Sequence, residues 1–490
     1  TYLNFEEAAR RYGKVGGFAH MKTLVDQLRS EVPEGASLLL DGGDTWQGSG
    51  TSLWTRGKDM VGACNRLGVD IMTGHWEFTY HDEEVRENIE AFDGEFIAQN
   101  VKVKIDALFE GAEAYNEDSG HAFKPYTIRH MNGVKVAVIG QAFPYTPIAN
   151  PARFIPDWTF GIRDAEMQKM VDKVRDEEKA ELVVVLSHNG MDVDLKMARV
   201  VSGIDVILGG HTHDGMPAPS VIENKSGKTL VTNAGSNGKF VGVMDLDVRG
   251  GQLRGFQYRL LPVFSNMLEP DPEMAAYVEK VREPYLDRLN EELAVAGQVL
   301  YRRGNFNGTF DQIICNAQRE VGGADVALSP GFRWGTTVLP GDPITMENVL
   351  DQTATTYPET YVQEMKGEQL KLILEDVADN LFNKDPFFQQ GGDMVRVGGL
   401  DYTFDPLGTM GNRVSGMRLD DGRTVEANKT YKVAGWATVN SKAPGPPVWE
   451  VVAEYLRDNR ELKLDKLNTP RLKNVAGNPG IADYEGEILS

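Results

Sequence analysis

The chain has 490 residues, enough for two to four domains at roughly 150 residues each. An apolar fraction of 41% and a charged fraction of 25% are ordinary for globular proteins, so the composition excludes disordered and fibrous classes. With 51 Lys and Arg against 72 Asp and Glu, the formal net charge is −21. This charge disfavours nucleic acid and anionic membranes as main partners. An anionic substrate must then be attracted by a local positive site, such as metal ions or converging arginines.

Neither the number of cysteines nor the start of the sequence identifies the cellular compartment of the protein. Cys64 and Cys315 are too few for a disulfide framework, and we expect two buried, unpaired thiols. The sequence opens at Thr1 with neither an initiator Met nor a signal peptide, so we expect a processed or trimmed chain. No apolar run approaches the roughly 18 residues of a membrane span.

Apolar strands alternate with amphipathic helices over residues 1–265. In chain order the predicted elements are a helix at 19–28, strands at 37–40, 69–72, 96–98 and 134–139, a helix at about 163–180, and strands at 182–186 and 206–208. Several of these strands end in glycine and then a carboxylate, His or Asn. Ligands of α/β sheets bind outside the carboxyl ends of the strands, so these polar strand ends predict one convergent site.

The pattern changes after residue 265. Asp271 to Leu293 is predicted to form one long charged helix that connects two domains. Mixed short strands follow, with helices at 308–321 and 367–380 and Gly/Pro-rich loops at 329–333 and 389–393. The chain is therefore divided into a domain at 1–265, a linker helix at 266–296 and a domain at 297–490.

Four of the eight histidines, His75, His188, His211 and His213, follow the ends of predicted strands. Together with Asp44 they offer imidazole and carboxylate ligands, which suit Zn, Mn, Fe, Co or Ni rather than Ca. If the Gly-His-Thr-His segment is extended, its two imidazoles project to the same side and each reaches one of two adjacent ions. A carboxylate bridging two ions about 3.5–4 Å apart turns a trapped water into a hydroxide nucleophile at neutral pH. The absence of Cys ligands argues against a structural zinc site.

Several motifs occur in the order and rough spacing of the calcineurin-like metallophosphoesterases. They are DGGD at 41–44, GHWEF at 74–78, SHN at 187–189 and GGHTH at 209–213. The C-terminal half resembles the C-terminal domain of periplasmic 5′-nucleotidases, through NFNG at 305–308, ADVAL at 324–328 and GNRV at 411–414. The resemblance implies an α/β protein: an N-terminal αββα sandwich with a di-metal catalytic site, and a C-terminal 5′-nucleotidase-type α/β domain that binds substrate.

One motif departs from the phosphoesterase pattern. Where these enzymes read Gly-Asn-His-Glu, this chain reads Gly-His-Trp-Glu, so His75 takes the metal-binding Asn position and Trp76 the position of the catalytic His. This substitution, with the stretches at 41–60 and 74–80, resembles the SoxB family, the thiosulfohydrolases of the bacterial sulfur-oxidation (Sox) pathway. The usual opening Asp-x-His motif is absent, and we expect it to lie upstream of this chain.

The resemblance implies a metal site and a substrate. Asp44 would bridge two Mn²⁺ ions, with Zn²⁺ as an alternative; His75, His188 and His211 would serve one ion, and His213 the other. The substrate of SoxB-like enzymes is a thiosulfonate on a C-terminal cysteine of the carrier protein SoxYZ, and hydrolysis releases sulfate. The resemblance also implies a periplasmic monomer that binds neither nucleic acid nor membrane.

Further residues are candidates for catalysis and substrate binding. The position of Arg333 in its loop implies a guanidinium that faces the substrate, which suits a sulfonate. Gly391 and Gly392 would let the backbone approach a thin substrate arm, beside Asp393. Trp76 has two interpretations: it replaces a general acid that a weakly basic sulfur leaving group does not need, or it simply packs beside the site.

The supporting residues have plainer roles. Asp41 is predicted to orient the metal loop by hydrogen bonding, and Glu77 to support the ligands from behind. Arg413 is predicted to be a structural turn residue.

Two other functions remain open from the sequence. A 5′-nucleotidase-like phosphoesterase is the first alternative, although it should retain Gly-Asn-His-Glu. A binding protein that has lost catalysis is the second, and the retained Asp44, His188, His211 and His213 argue against it.

Overall fold

The computed structural model describes residues 13–331, 335–440 and 442–475. These residues form two compact units: the first contains the described residues within Thr1–Gln47 and Trp54–Pro284, and the second those within Gly48–Leu53 and Tyr285–Ser490. The division after Pro284 falls inside the segment 266–296 that the sequence suggested as the linker.

The strands of the first unit are mostly short. They are β1 (Leu40–Asp41), β2 (Ile71–Met72), β3 (Glu95–Phe96), β4 (Lys102–Val103), β5 (Tyr126–Met131), β6 (Val134–Gln141), β7 (Trp158–Thr159), β8 (Leu182–Ser187), β9 (Val206–Gly209), β10 (Ser220–Asn224), β11 (Gly227–Asn233), β12 (Phe240–Arg249) and β13 (Gln252–Pro262). One sheet has the order β1-β2-β3 and is parallel. A larger sheet has the order β10-β11-β9-β8-β6-β5, with parallel pairing from β11 to β6 and antiparallel strands at both edges.

Helices cover the outer faces of these two sheets. The helices up to Pro284 are α1 (Phe18–Ser30), α2 (Gly50–Thr55), α3 (Lys58–Leu67), α4 (Asp82–Ala91), α5 (Ile105–Phe109), α6 (Thr146–Ala149), α7 (Asp164–Asp176), α8 (Met191–Val200) and α9 (Pro272–Arg282). Of these, α2 belongs mostly to the second unit, which contains Gly48–Leu53. Short 3₁₀ turns lie at Trp76–Tyr80, Ala152–Phe154 and Glu283–Tyr285.

Three apolar clusters define the layers of the first unit. Residues of both sheets, such as Ile71 and Val138, share the cluster between them. On the far side of the larger sheet, Met167 and Met197 of α7 and α8 pack in a second cluster. A third includes Val25 and Val61 of α1 and α3. Since each sheet buries one face on the other and one under helices, the unit is the expected αββα sandwich.

The second unit is also mixed α/β. Its strands are β14 (Glu292–Ala296), β15 (Val326–Gly331), β16 (Pro343–Thr345), β17 (Thr360–Lys366), β18 (Asp393–Gly398), β19 (Leu400–Phe404), β20 (Val414–Leu419), β21 (Thr430–Trp436), β22 (Glu461–Leu462) and β23 (Arg471–Leu472). Its helices are α10 (Leu286–Leu289), α11 (Thr309–Gly322), α12 (Met346–Thr353), α13 (Gly367–Phe382) and α14 (Val448–Asp458), with a 3₁₀ turn at Pro386–Phe388. The sheets have the orders β16-β14-β22, β17-β21-β15-β18 and β20-β19-β23.

The predicted continuous helix from Asp271 to Leu293 is wrong. The segment contains α9, a 3₁₀ turn around Pro284 and the short α10, and it ends in strand β14. A proline inside a helix lacks the amide hydrogen and clashes with the preceding turn, which accounts for the break.

Both cysteines are buried and unpaired, as predicted. Within the part of the chain that the structure describes, no helix combines the length and apolar character that crossing a membrane requires.

Candidate metal centre

The ends of four strands bring the predicted ligands together in the first unit. Asp44 lies three residues after β1, His75 three after β2, His188 directly after β8 and His211 two after β9. These strands run parallel within their sheets, so their carboxyl ends open on the same edge. The convergence expected from the strand-end pattern is therefore present for these four residues.

The carboxylate of Asp44 lies at the centre of the cluster, within 4.0 Å of three imidazoles. Its Oδ1 lies 3.1 Å from Nδ1 of His75, and its Oδ2 lies 3.0 Å from Nε2 of His188. Nε2 of His213 lies 4.0 Å from the same Oδ2. One donor atom each of Asp44, His75, His188 and His211 falls within 4.8 Å of all the others. The imidazoles of His75, His188 and His211 are buried, with at most 6% of their surface exposed.

This donor set fits a divalent transition metal. Carboxylate oxygen and imidazole nitrogen are the ligands that Mn, Fe, Co, Ni and Zn share. Burying these imidazoles beside the Asp44 carboxylate costs free energy, because the polar groups lose their contacts with water. A bound cation would offset that cost. The residues present therefore match the metal that the sequence motifs suggested.

The Gly-His-Thr-His segment is not extended, contrary to the expectation from its spacing. The φ angles of His211 and His213 are 69° and 60°, in the left-handed region, and Thr212 N–H bonds to the carbonyl of Gly210. Asp44 is also left-handed, with φ of 70°. Such backbone costs on the order of 1–3 kcal/mol per residue and occurs mainly at functional sites, where the fold holds it in place. A tight turn, rather than strand alternation, directs these two imidazoles.

Gly43 allows the Asp44 loop to approach the β2 loop. Its φ is 96°, and a Cβ there would lie 2.8 Å from the carbonyl oxygen of Thr73. Asp41 holds the same loop, since its Oδ1 accepts hydrogen bonds from Gly43 N–H and from the Thr45 hydroxyl. The orienting role predicted for Asp41 agrees with these contacts.

Glu77 holds the loops that carry two of the predicted ligands through hydrogen bonds to their backbone. Its carboxylate is fully buried and accepts hydrogen bonds from the backbone N–H groups of Asp44, Trp46 and His75. One side chain thus ties the loop after β1 to the loop after β2. The geometry agrees with the supporting role predicted from the motif.

The charges of the cluster shift the pKa values of its members. Burial raises the pKa of Asp44, but the neighbouring His188 and His75 outweigh burial and hold the pKa of this carboxyl well below its ordinary value. Burial, and after it the charge of Asp44, raises the pKa of Glu77 to about 7. Asp44 is therefore the carboxylate that stays ionised and available as a ligand at neutral pH.

Trp76 lies beside the predicted ligands. Its ring centroid is 5.0 Å from that of His75, its backbone N–H donates to Oδ1 of Asp44 at 3.0 Å, and its side chain is buried. The catalytic position of the phosphoesterase motif is thus filled by an indole, which does not exchange protons at neutral pH.

Phe143 is a site residue that the sequence reasoning missed. Its ring stacks on His211 with centroids 4.2 Å apart and lies 4.1 Å from His75. It follows β6 by two residues. The strand-end pattern selects carboxylate, His or Asn, so it gave no signal for an aromatic residue at this place. The ring fixes the orientation of two imidazoles that the backbone alone leaves free to rotate.

A buried polar chain behind His188 was also missed. Asp194 accepts hydrogen bonds from Ser187 and Asn189, and the amide of Gln141 donates to Asn189. Burial raises the pKa of Asp194 to about 7. This chain anchors the segment that carries His188.

The substrate-binding candidates belong to the second unit. Arg333 lies outside the described residues, so its role stays a prediction. Gly391 and Gly392 have φ of 77° and 81°, and a Cβ at Gly392 would meet nothing within 4 Å. Asp393 is buried, and its Oδ2 accepts a hydrogen bond from Arg396 at 2.8 Å.

Arg413 bonds to the carboxylate of Asp379 and the carbonyl of Phe382. Those contacts agree with the structural role predicted for it.

Comparisons with known proteins agree with this architecture. The family model of the 5′-nucleotidase C-terminal domain matches residues 293–451. The chain is 26% identical to UshA of Yersinia enterocolitica over 88% of this chain and 82% of that protein. It is 28% identical to the trifunctional nucleotide phosphoesterase YfkN of Bacillus subtilis, but it spans only about a third (34%) of that protein's length.

A solved structure decides the family. The sulfate thiohydrolase SoxB of Thermus thermophilus superposes with a TM-score of 0.89 and 36% identity, covering 97% of this chain and 86% of that one. The chain belongs to the SoxB family. A 5′-nucleotidase precursor of Thermus thermophilus shares the fold, with a TM-score of 0.78 at 22% identity. With hydrolases among its relatives and a donor set that fits a metal, this SoxB-family chain is a metal-dependent hydrolase.

Proposed function

We propose that this SoxB-family protein is a di-manganese thiosulfohydrolase. Its substrate is a thiosulfonate carried on the cysteine of a SoxYZ-type carrier protein in the periplasm. Hydrolysis breaks the bond between the sulfane sulfur and the sulfonate sulfur. The water oxygen goes to the sulfonate sulfur, so sulfate leaves and the carrier keeps a persulfide.

The observation that carries this proposal is the indole at position 76. The phosphoesterase motif places an imidazole next to the metal ligands, and here a buried Trp76 ring takes that place against His75. The family resemblance supports the same substrate, since the similar Thermus thermophilus structure is described as a sulfate thiohydrolase.

The chemistry of the leaving group explains why sulfur–sulfur hydrolysis can proceed with an indole at position 76 in place of an imidazole. An alkoxide leaving from a phosphate ester is a strong base and gains from a nearby acid. A persulfide is a much weaker base and leaves without a proton donor. Losing the imidazole should therefore cost little for sulfur–sulfur cleavage and much for phosphate esters.

Asp44, His75, His188 and His211 would hold one metal ion, and His213 would contribute to a second. When bound, such a pair activates water at neutral pH and neutralises charge on the sulfonate. Asp44 supplies an ionised carboxylate between the imidazoles. Glu77 accepts hydrogen bonds from the backbone N–H groups of Asp44 and His75, and so fixes the spacing between the loops that carry these two ligands. Phe143 limits rotation of the His75 and His211 rings.

Substrate binding is assigned to the second unit. Arg333 would pair with the sulfonate, as a guanidinium suits its oxygens. The open surface at Gly392 leaves room for a thin peptide arm beside Asp393. The role of Arg333 rests on the family resemblance alone, and that of Gly391 and Gly392 on the resemblance together with the local geometry of their loop.

The test compares two hydrolysis reactions in the full-length protein supplied with Mn²⁺. Sulfate release is measured from a carrier peptide whose cysteine bears a thiosulfonate, and phosphate release from a nucleoside monophosphate. We expect sulfate without phosphate, and no sulfate from Asp44→Asn, which keeps the side-chain shape and tolerates the left-handed backbone.

A 5′-nucleotidase-like activity is the second candidate. It is favoured by the matched nucleotidase C-terminal domain and by the 28% identity to the trifunctional nucleotide phosphoesterase YfkN. Phosphate release without sulfate release would replace the proposed function with this one.

A further inference from the structure

A groove of about 550 Å³ follows one edge of the larger sheet in the first unit, away from the predicted metal ligands. Its floor is residues 124–129, which include the start of strand β5. Its walls come from the loop residues between Tyr115 and His121 and from Met170 and Lys173 of α7. We call this feature the β5 groove.

Strand β5 is an edge strand with an open side. It pairs with β6 alone in the sheet order, and its register runs antiparallel from Tyr126 opposite Ile139 to Met131 opposite Val134. Among the described residues, no other segment forms a backbone hydrogen bond to residues 126–131. In an antiparallel pair, every second residue directs its N–H and C=O away from the partner strand. β5 therefore offers backbone donors and acceptors along this edge, although the Ile128 carbonyl already accepts a hydrogen bond from the Arg129 guanidinium at 3.2 Å.

The groove runs along this open side. Tyr126 and Ile128 face one side of the strand and pack on the cluster that contains Met170. Thr127 and Arg129 face the other side, where both bond to Glu95. Successive side chains of a strand alternate between faces, so a groove lined by both sets must follow the edge itself.

The lining is basic in an acidic protein. Lys124, Arg129 and Lys173 line the groove, and no Asp or Glu does, although the chain has 72 acidic against 51 basic residues. Glu95 behind the strand pairs with Lys124 and Arg129, which leaves one positive charge there. Lys173 forms no ion pair with a described residue, and its ammonium lies 5.6 Å from the Tyr126 ring centroid. Just outside the lining, Glu178 accepts a hydrogen bond from the Tyr126 hydroxyl at 3.0 Å and lies 3.7 Å from Lys135. The side chains that line the groove themselves carry a surplus of positive charge.

We propose that the β5 groove binds an extended acidic peptide segment of a partner protein, which adds a strand to the sheet at β5. Backbone pairing along the open edge gives affinity, and carboxylates beside Lys124, Arg129 and Lys173 give selectivity. The site lies outside the metal cluster, so the proposal stands independently of the reaction at that cluster.

Basic residues on an edge strand also occur as protection against aggregation. A protective edge needs no concave surface, whereas here residues of the loop at 115–121 and of α7 line one concave groove together with the edge strand. Tyr115 is 56% exposed in that loop, an aromatic surface that a bound chain would cover. The concave shape is what favours an occupant.

The test uses a fluorescent, end-blocked eight-residue peptide of alternating Glu and Val, titrated with the full-length protein at fixed salt. We expect saturable binding by anisotropy, and at least tenfold weaker binding when Lys replaces every Glu. Lys173→Glu should weaken binding at least tenfold. Lys169→Glu, one turn away on α7 and not lining the groove, should change it less than twofold.

Two N-methylated peptides test backbone pairing separately from charge. One carries N-methyl groups at the odd positions and the other at the even positions. Because a strand pairs through one edge, only one of the two should lose binding. No binding of the parent peptide, equal loss from Lys169→Glu and Lys173→Glu, or equal affinity of both methylated peptides would overturn the proposal.

Discussion

The Oε2 atom of Glu77 accepts a hydrogen bond from the backbone N–H of His75 across 2.8 Å. The same oxygen accepts from Asp44 N–H, at 3.1 Å. A carboxylate outside the predicted ligand set thus fixes the spacing between two predicted metal ligands. It does so from a fully buried position, where no water can take over the bonds.

Replacing Glu77 should weaken metal binding without touching a ligand. We expect Glu77→Ala to lower Mn²⁺ affinity about 10–100-fold, the usual effect of losing a group that orients ligands. It should also lower the free energy of unfolding by about 1–3 kcal/mol, because buried N–H groups lose their acceptor. Calorimetric titration and urea unfolding measure the two effects.

Glu83→Ala on the exposed surface of α4 is the matched control and should change neither quantity. Glu77→Gln retains one oxygen acceptor and should fall between wild type and Glu77→Ala. Metal affinity of Glu77→Ala equal to wild type would contradict the orienting role.

Trp76→His should create phosphatase activity. The substitution restores an imidazole beside His75, where a leaving alkoxide needs an acid. We expect phosphate release from a nucleoside monophosphate to rise above that of wild type, with metal content unchanged. Trp76→Phe, which stays apolar, should keep sulfate release and gain no phosphatase activity. A folded, metal-loaded Trp76→His enzyme that gains nothing would leave Trp76 as a packing residue only.

The two thiols should be inert in the native protein. Cys64 and Cys315 are both fully buried, and burial raises the pKa of each thiol. The thiolate is the reactive form, so neither should react with a disulfide reagent such as dithiobis(nitrobenzoate). Two thiols per chain should appear after unfolding in guanidinium. Stoichiometric labelling of the native enzyme would show that one of these regions opens.

His121 should make the first unit sensitive to acid. Burial, and after it the charge of Lys102, lowers the pKa of His121 to about 4, against 6.5 when unfolded. The unfolded chain binds the proton more readily, so the stabilisation is complete above pH 6.5 and is lost as the pH falls towards 4.

Thermal unfolding at pH 7.5 and pH 5 measures this effect. The difference between the two melting temperatures should be smaller for His121→Gln than for wild type. His130→Gln, at an exposed position in β5, is the control and should behave as wild type. An equal pH difference in all three proteins would mean that His121 is not the responsible group.

Local sequence patterns correctly predicted those helices and strands whose periodicity or apolar run lies within the element itself. The helical periodicity at 19–28 corresponds to α1, and the apolar run at 182–186 corresponds to β8. The predicted strand at 37–40 was less accurate, since only Leu40 and Asp41 pair with a neighbour. An apolar run shows that a segment is buried, but pairing depends on a partner strand far away in the sequence.

The sequence alone determined the donor set of this site, because glycine-terminated strands and their histidines are visible as motifs. It also indicated the family, through the indole at position 76 in an otherwise familiar pattern, and the similarity to a solved structure then established it. The tertiary structure decided what the motifs do not encode: the left-handed turn that directs His211 and His213, the ring of Phe143 on His211, and the open edge of β5. These features arise from contacts between segments distant in the chain, and only the packing of two sheets against each other brings such segments within bonding distance.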